Sequence, residues 1–239
     1  MQLADHIVFL LLGVALPAGL FVSGYQRQRA GKAGRRMHFS PGLKIRLYYG
    51  NGLLLLSLAV VCLTVWYFSG RPLADLGLSW GRMPYDALSI ALLGGFTLLY
   101  LGDLALEVGS PDRRNQSRAN LQQLGFLPAT GTQFLHFLFL AVSAGVGEEI
   151  VYRGYLINYL EAILPATPAG AFVTLLVPAV AFGLGHVYQG RGAVVKIVAM
   201  AVLFGVFFYR TETLWPLMLV HTAVDVVGGL VSWALLGEE

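Results

Sequence analysis

Six ionisable side chains in the second half of this chain stand where an apolar sequence should have none. Glu148, Glu149 and Arg153 fall in Gly145-Val-Gly-Glu148-Glu149-Ile-Val-Tyr-Arg153, His186 closes Phe182-Gly-Leu-Gly-His186, and His221 precedes Asp225 in His221-Thr-Ala-Val-Asp225. Each lies in an apolar run long enough to read as a membrane span. A charge at the bilayer centre costs about 2.5–3.5 kcal/mol even on lenient insertion scales. Each run also has an apolar face to rest against lipid, so all six can be buried only by facing one another around a wet cavity.

Helical spacing assigns partners. Glu149 and Arg153 are four apart with the acid first, the favoured order for an ion pair on one face. Glu148 is turned about 100° from Glu149, so Arg153 cannot serve both, and one glutamate is left freer to react. His221 and Asp225 share a face at the same spacing, as do Phe182 and His186. Gly145, Gly147, Gly183 and Gly185 remove bulk beside these residues, permitting close helix approach or room for a substrate backbone.

A carboxylate and an imidazole together can activate water for attack on a carbonyl. A second histidine can donate a hydrogen bond to the oxyanion that forms. These parts suffice for amide hydrolysis without a serine or cysteine nucleophile; Cys62, the single cysteine, is expected far away in the second span. Glu149 with Arg153 serves equally well as a purely structural ion pair, because intramembrane charges pair whether or not they react. His136 and Asn51 read as interhelical glue, and Asp103 with Glu107 as an interfacial pair at the end of the third span. The glycines of the fifth span do not form a G-x-G-x-x-G fingerprint, which removes nucleotide binding there.

The elements that must position these groups are membrane helices. Of 239 residues, 56% are hydrophobic and 12% charged, with a mean hydropathy of +0.68; a soluble domain carries about 25% charged residues. The reading is an all-α, polytopic transmembrane helix bundle of about seven spans. They run near Ile7–Val22, Leu47–Phe68, Ala87–Leu106, Phe134–Leu164, Gly170–Tyr188, Ala193–Tyr209 and Leu214–Leu236. Residues 1–133 would hold three spans with basic loops and residues 134–239 the catalytic helix core, in one integrated membrane domain. The fourth span would reach roughly 46 Å against a hydrocarbon core near 30 Å, so it must tilt, protrude or break.

Asp5 precedes the first apolar run and a basic segment follows it, the reverse of a cleaved signal peptide, so this run is expected to be retained as a span. Lysine and arginine set the orientation. Arg27, Arg29, Lys32, Arg35, Arg36, Lys44, Arg46, Arg113, Arg114, Arg118 and Arg191 fall on one side, against Arg71, Arg82 and Arg210 on the other. That asymmetry puts the N-terminus outside and the C-terminus in the cytoplasm, with Lys196 snorkelling to the cytoplasmic surface. It also accounts for the pI near 9.1 without nucleic acid as a partner.

The ordered motifs Glu148-Glu149-x-x-x-Arg153, Phe182-x-x-x-His186 and His221-x-x-x-Asp225 resemble those of the CAAX protease and bacteriocin-processing (Abi) family. Arg153-Gly-Tyr-Leu, His186-Val-Tyr-Gln-Gly and Arg210-Thr-Glu-Thr-Leu-Trp-Pro around them match as well, over roughly residues 134–236. The resemblance implies a glutamate-dependent intramembrane endopeptidase of a bacterial-type cell membrane, acting on a membrane-associated peptide or protein. Carried over by position, Glu148 and His186 would activate the water, His221 with residue 225 would stabilise the oxyanion, and Glu149 and Arg153 would support Glu148. The eukaryotic prenyl-protein proteases have asparagine where this chain has Asp225. An ionised aspartate repels an oxyanion, so Asp225 fits better as the partner that orients His221 or as a protonated acid, and a prenylated substrate is not to be assumed.

No cofactor is expected. Two other readings compete: a zinc-dependent protease using Glu148, His186, His221 and Asp225 as ligands, although H-E-x-x-H is absent, and a non-catalytic transporter or immunity-type protein with a ligand in the polar cavity.

Overall fold

A computed structural model describes residues 1–29, 39–79 and 86–237. Lys32, Arg35, Arg36 and Arg82 of the charge count lie outside the described residues, as do the side chains of Arg27 and Arg29. Among the described residues all regular structure is helical. Seven helices are long and apolar enough to cross a bilayer. In chain order these are α1 (Leu3–Gln26), α2 (Pro41–Phe68), α3 (Ala87–Val108), α5 (Gly131–Ile163), α6 (Pro168–Gly185), α7 (Arg191–Thr211) and α8 (Trp215–Leu236). The polar helix α4 (Pro111–Leu124) joins α3 to α5.

The helix starts follow local chemistry. Ser40, Asp86, Ser110, Thr130 and Thr167 each accept a hydrogen bond from a backbone N–H of the first turn, and Pro41, Pro111 and Pro168 occupy positions that need no donor. At Asp86 the Ser89 hydrogen bonds and the neighbouring Arg210 guanidinium, 3.0 Å away, hold the carboxyl below its usual range.

α5 is the centre of the bundle. In its most apolar window 56% of residues are buried, against 11% in α3. It packs on α2 and α8, while α6 packs on α7 and α1. The length problem is resolved without a break: α5 runs as one helix, but from Glu149 to Ile157 its backbone is π-helical. Such i→i+5 stretches are rare and concentrate at functional sites. α1 carries a second one, Leu10–Ala15.

Glycine sets the close contacts. A Cβ on Gly145 would stand 2.8 Å from the Thr222 nitrogen and 3.0 Å from the Met218 oxygen, so α5 and α8 meet backbone to backbone; on Gly147 it would stand 3.0 Å from the Leu55 oxygen of α2. At Gly183 it would run into the Val198 side chain, whereas at Gly185 it would meet open space.

Two expectations change. The fifth span ends at Gly185 rather than Tyr188, because the backbone leaves helical geometry at His186, forms a 3₁₀ turn over Val187–Gln189, and takes φ +98° at Gly190. Asn51 does not bridge helices: its amide donates to the Leu47 carbonyl of its own helix and is exposed. Lys196 reaches Asp103 at 2.6 Å and Glu107 at 3.6 Å, so the acids and the lysine form an ion-pair cluster between α3 and α7. His136 does link helices, through the Tyr49 hydroxyl of α2 at 3.0 Å.

Candidate active site

The π-helical stretch begins at the glutamates and gives them different surroundings. Glu149 is fully buried, and its Oε1 accepts from Arg153 Nη1 at 2.9 Å and bonds His221 Nδ1 at 2.7 Å. Its Oε2 has no hydrogen-bond partner among the described residues. The Arg153 side chain is 4% exposed. Its guanidinium lies 4.6 Å from the centre of the Phe182 ring and 5.3 Å from that of Phe204, within cation–π range of both. The buried arginine is thus met by one carboxylate and two aromatic faces.

Glu148 points elsewhere. Its side chain is 13% exposed, and its Oε2 lies 3.5 Å from His221 Nε2. The same Nε2 is 3.9 Å from Asp225 Oδ2, whose side chain is 32% exposed. His221 therefore stands between the two glutamates, one at each ring nitrogen. A carboxylate is an acceptor, so Nδ1 carries the proton shared with Glu149, and Nε2 is the nitrogen that faces Glu148 and Asp225.

α6 delivers the other imidazole from its C-terminal end. His186 Nδ1 is 2.9 Å from the Phe182 carbonyl oxygen. A carbonyl only accepts, so Nδ1 is the donor, and the neutral ring has its Nε2 lone pair free. The Phe182 ring packs between the parts, with centroids 4.7 Å from His186, 5.9 Å from His221 and 5.2 Å from Tyr152. His186 follows the end of one membrane helix and His221 lies near the start of another. The early end of α6 and the shared Phe182 bring both rings to one site.

The six residues singled out above come together from α5, α8 and the end of α6. Among the described residues no three His, Cys, Asp or Glu side chains are arranged to hold a metal ion. Cys62 is fully buried in the large apolar core cluster that also holds Ile150 and Val151. Phe204 and Thr222 escaped the sequence reading because an aromatic or a threonine in an apolar run carries no pattern of its own.

This arrangement can hold a polarised water or a ligand carbonyl between acids and imidazoles, with Arg153 neutralising the deepest carboxylate. Residues 130–227, which include all six, match the family model described as type II CAAX prenyl endopeptidase Rce1-like. No curated protein and no solved structure matches the chain.

Proposed function

With an Rce1-like domain over residues 130–227 as the premise, we propose that this multi-pass membrane protein hydrolyses a peptide bond with a water activated by Glu148 and His186. The family match points to a CAAX-type intramembrane protease. In the proposed step Glu148 takes one proton from the water as its oxygen attacks the carbonyl carbon, and the free Nε2 of His186 accepts the other O–H and aligns it. The C–N bond then breaks, and the proton held by Glu148 passes to the leaving amine.

His221 would hold the oxyanion through Nε2. That role requires a proton on Nε2 as well as on Nδ1, so in the proposed step the ring acts as an imidazolium among Glu148, Glu149 and Asp225. Asp225 supports that cation and its orientation. Glu149 and Arg153 position His221 and leave Glu148 unpaired by arginine.

One observation carries this reading: His221 from α8 grips Glu149 at 2.7 Å while facing Glu148 at 3.5 Å, which divides adjacent glutamates into a held one and a free one. The substrate class is a membrane-associated peptide or protein, reached from a site within the bundle. The proposal is tested by comparing membrane proteomes of wild type and cells carrying Glu148→Gln or His186→Ala. Both variants insert in normal amount and accumulate uncleaved precursors; continued cleavage by either one refutes the assignment.

A further inference from the structure

A second buried polar cluster joins α1, which lies outside the matched region, to the far half of α5. Asp5 is 1% exposed although it belongs to an apolar helix. Its Oδ1 accepts from the Tyr155 hydroxyl at 2.7 Å and from Arg71 Nη2 at 2.5 Å, and its Oδ2 from the Gln2 backbone N–H at 2.9 Å. Arg71 stacks 3.9 Å above the Trp66 ring, and Trp66 is edge-on to Tyr155 at 6.2 Å. One turn further along α5, the Tyr159 hydroxyl meets His6 Nδ1 at 2.6 Å and its ring stacks on Phe9 at 4.5 Å. Consecutive residues of α1 thus hold two tyrosines of α5 that are four apart.

Where those tyrosines stand gives the cluster its meaning. Tyr155 lies in the π-helical stretch that starts at Glu149 and contains Arg153. An i→i+5 ladder is rarely sustained and persists where its surroundings over-determine it. If the stretch closed to an ordinary α-helix, the side chains beyond the closure would turn by about one residue, roughly 100°, relative to Glu149. Glu149 and Arg153 pair at either winding, but Arg153 would turn away from the Phe182 and Phe204 faces, and Tyr155 could not stay on Asp5 while Glu149 faces His221. The anchor must lie beyond Arg153, and Tyr155 is two residues beyond it. α1 matches this from its side, since its own π-helical stretch places Gly13 against Leu156.

We propose that Asp5, with Arg71 and Tyr155, is a positioning cluster for the reaction. It holds the π-helical register in which Arg153 lies against Phe182 and Phe204 while its partner Glu149 faces His221, so α1 belongs to the working apparatus of a protease whose recognised region starts at residue 130. This rests on the endopeptidase reading for its kinetic consequence, whereas its structural consequence stands alone.

The experiment uses the full chain in lipid nanodiscs, with Tyr155→Phe and Asp5→Asn as near-isosteric variants. The chain has five histidines, so the ring signals of [¹⁵N]histidine-labelled protein are assignable. The His221 Nδ1 signal is expected to move in both variants and to stay in place in Ser57→Ala, which loses only an exposed bond to the Leu53 carbonyl. With a membrane-anchored quenched peptide that wild type cuts and Glu148→Gln does not, kcat falls about tenfold or more while KM stays within about twofold. The double variant loses no more than the worse single one. Unshifted His221 signals in both variants overturn the proposal, as does an unchanged kcat. If no peptide separates wild type from Glu148→Gln, the endopeptidase reading fails, and the histidine spectra still decide the positioning claim.

Discussion

Glu148 and Glu149 are adjacent in sequence and opposite in use. Glu149 carries the only carboxylate bonded to Arg153 among the described residues, and both side chains are almost wholly buried. Removing one partner of a buried pair strands the other charge, which costs about 3–5 kcal/mol. Glu149→Ala is therefore expected to lower the thermal midpoint and the yield of folded protein. Glu148→Gln strands no arginine and should melt as wild type does while losing turnover. Thermal unfolding of the two purified variants, measured side by side, separates the structural acid from the reacting one. Equal destabilisation would mean that Arg153 is shared.

At the scale of elements, the site depends on how close α5 and α8 come. Gly145 is the contact point: a Cβ there would run into the Thr222 hydroxyl and, behind it, the Thr222 nitrogen and Met218 oxygen of the backbone, which cannot rotate away. Overpacking of this kind costs about 1–3 kcal/mol. The larger effect is on geometry, because Thr222 follows His221 directly. Gly145→Ala should pry His221 from Glu149 and abolish cleavage in protein that still inserts. Gly185→Ala, facing open space, should keep wild-type stability. Cleavage assays and melting curves on this pair test whether helix separation governs the site; full activity in Gly145→Ala would show that it does not. The short α6 works in the same direction, since ending at Gly185 lets His186 swing inward on a turn where a continued helix would have fixed its direction.

For the molecule as a whole, the distribution of lysine and arginine and the ion pairs at the helix ends tell one story. Asp5 with Arg71 and Asp86 with Arg210 tie the ends at one side of the bundle, and Lys196 with Asp103 lies toward the other. Among the described residues Lys44, Arg46 and Arg191 at helix starts and Arg113, Arg114 and Arg118 on the connecting helix α4 stand on that second side, which the positive-inside rule would assign to the cytoplasm. A reporter fused after Glu239 is expected to be active in the cytoplasm and one fused before Met1 outside; the reverse pattern would invert the orientation proposed for the site. The proposed chemistry needs no metal ion, so cleavage by purified protein should persist in excess chelator. Stoichiometric zinc that turnover requires would replace the glutamate mechanism with a metal one.

Much was determined by the amino-acid sequence alone. Length and hydropathy imposed seven membrane helices, since lipid offers backbone groups no partner except one another. The expense of burying charge in lipid forced Glu148, Glu149, Arg153, His186, His221 and Asp225 toward a common interior, and four-residue spacing already paired Glu149 with Arg153. Tertiary structure alone decided which nitrogen of His221 meets which glutamate, how His186 and His221 reach one depth, and that Asp5 is buried against Tyr155. The reason is physical: spacing along a helix specifies a face, whereas contacts between helices depend on register, tilt and local winding. The π-helical turn from Glu149 to Ile157 changes that winding without leaving a periodic mark in an apolar run.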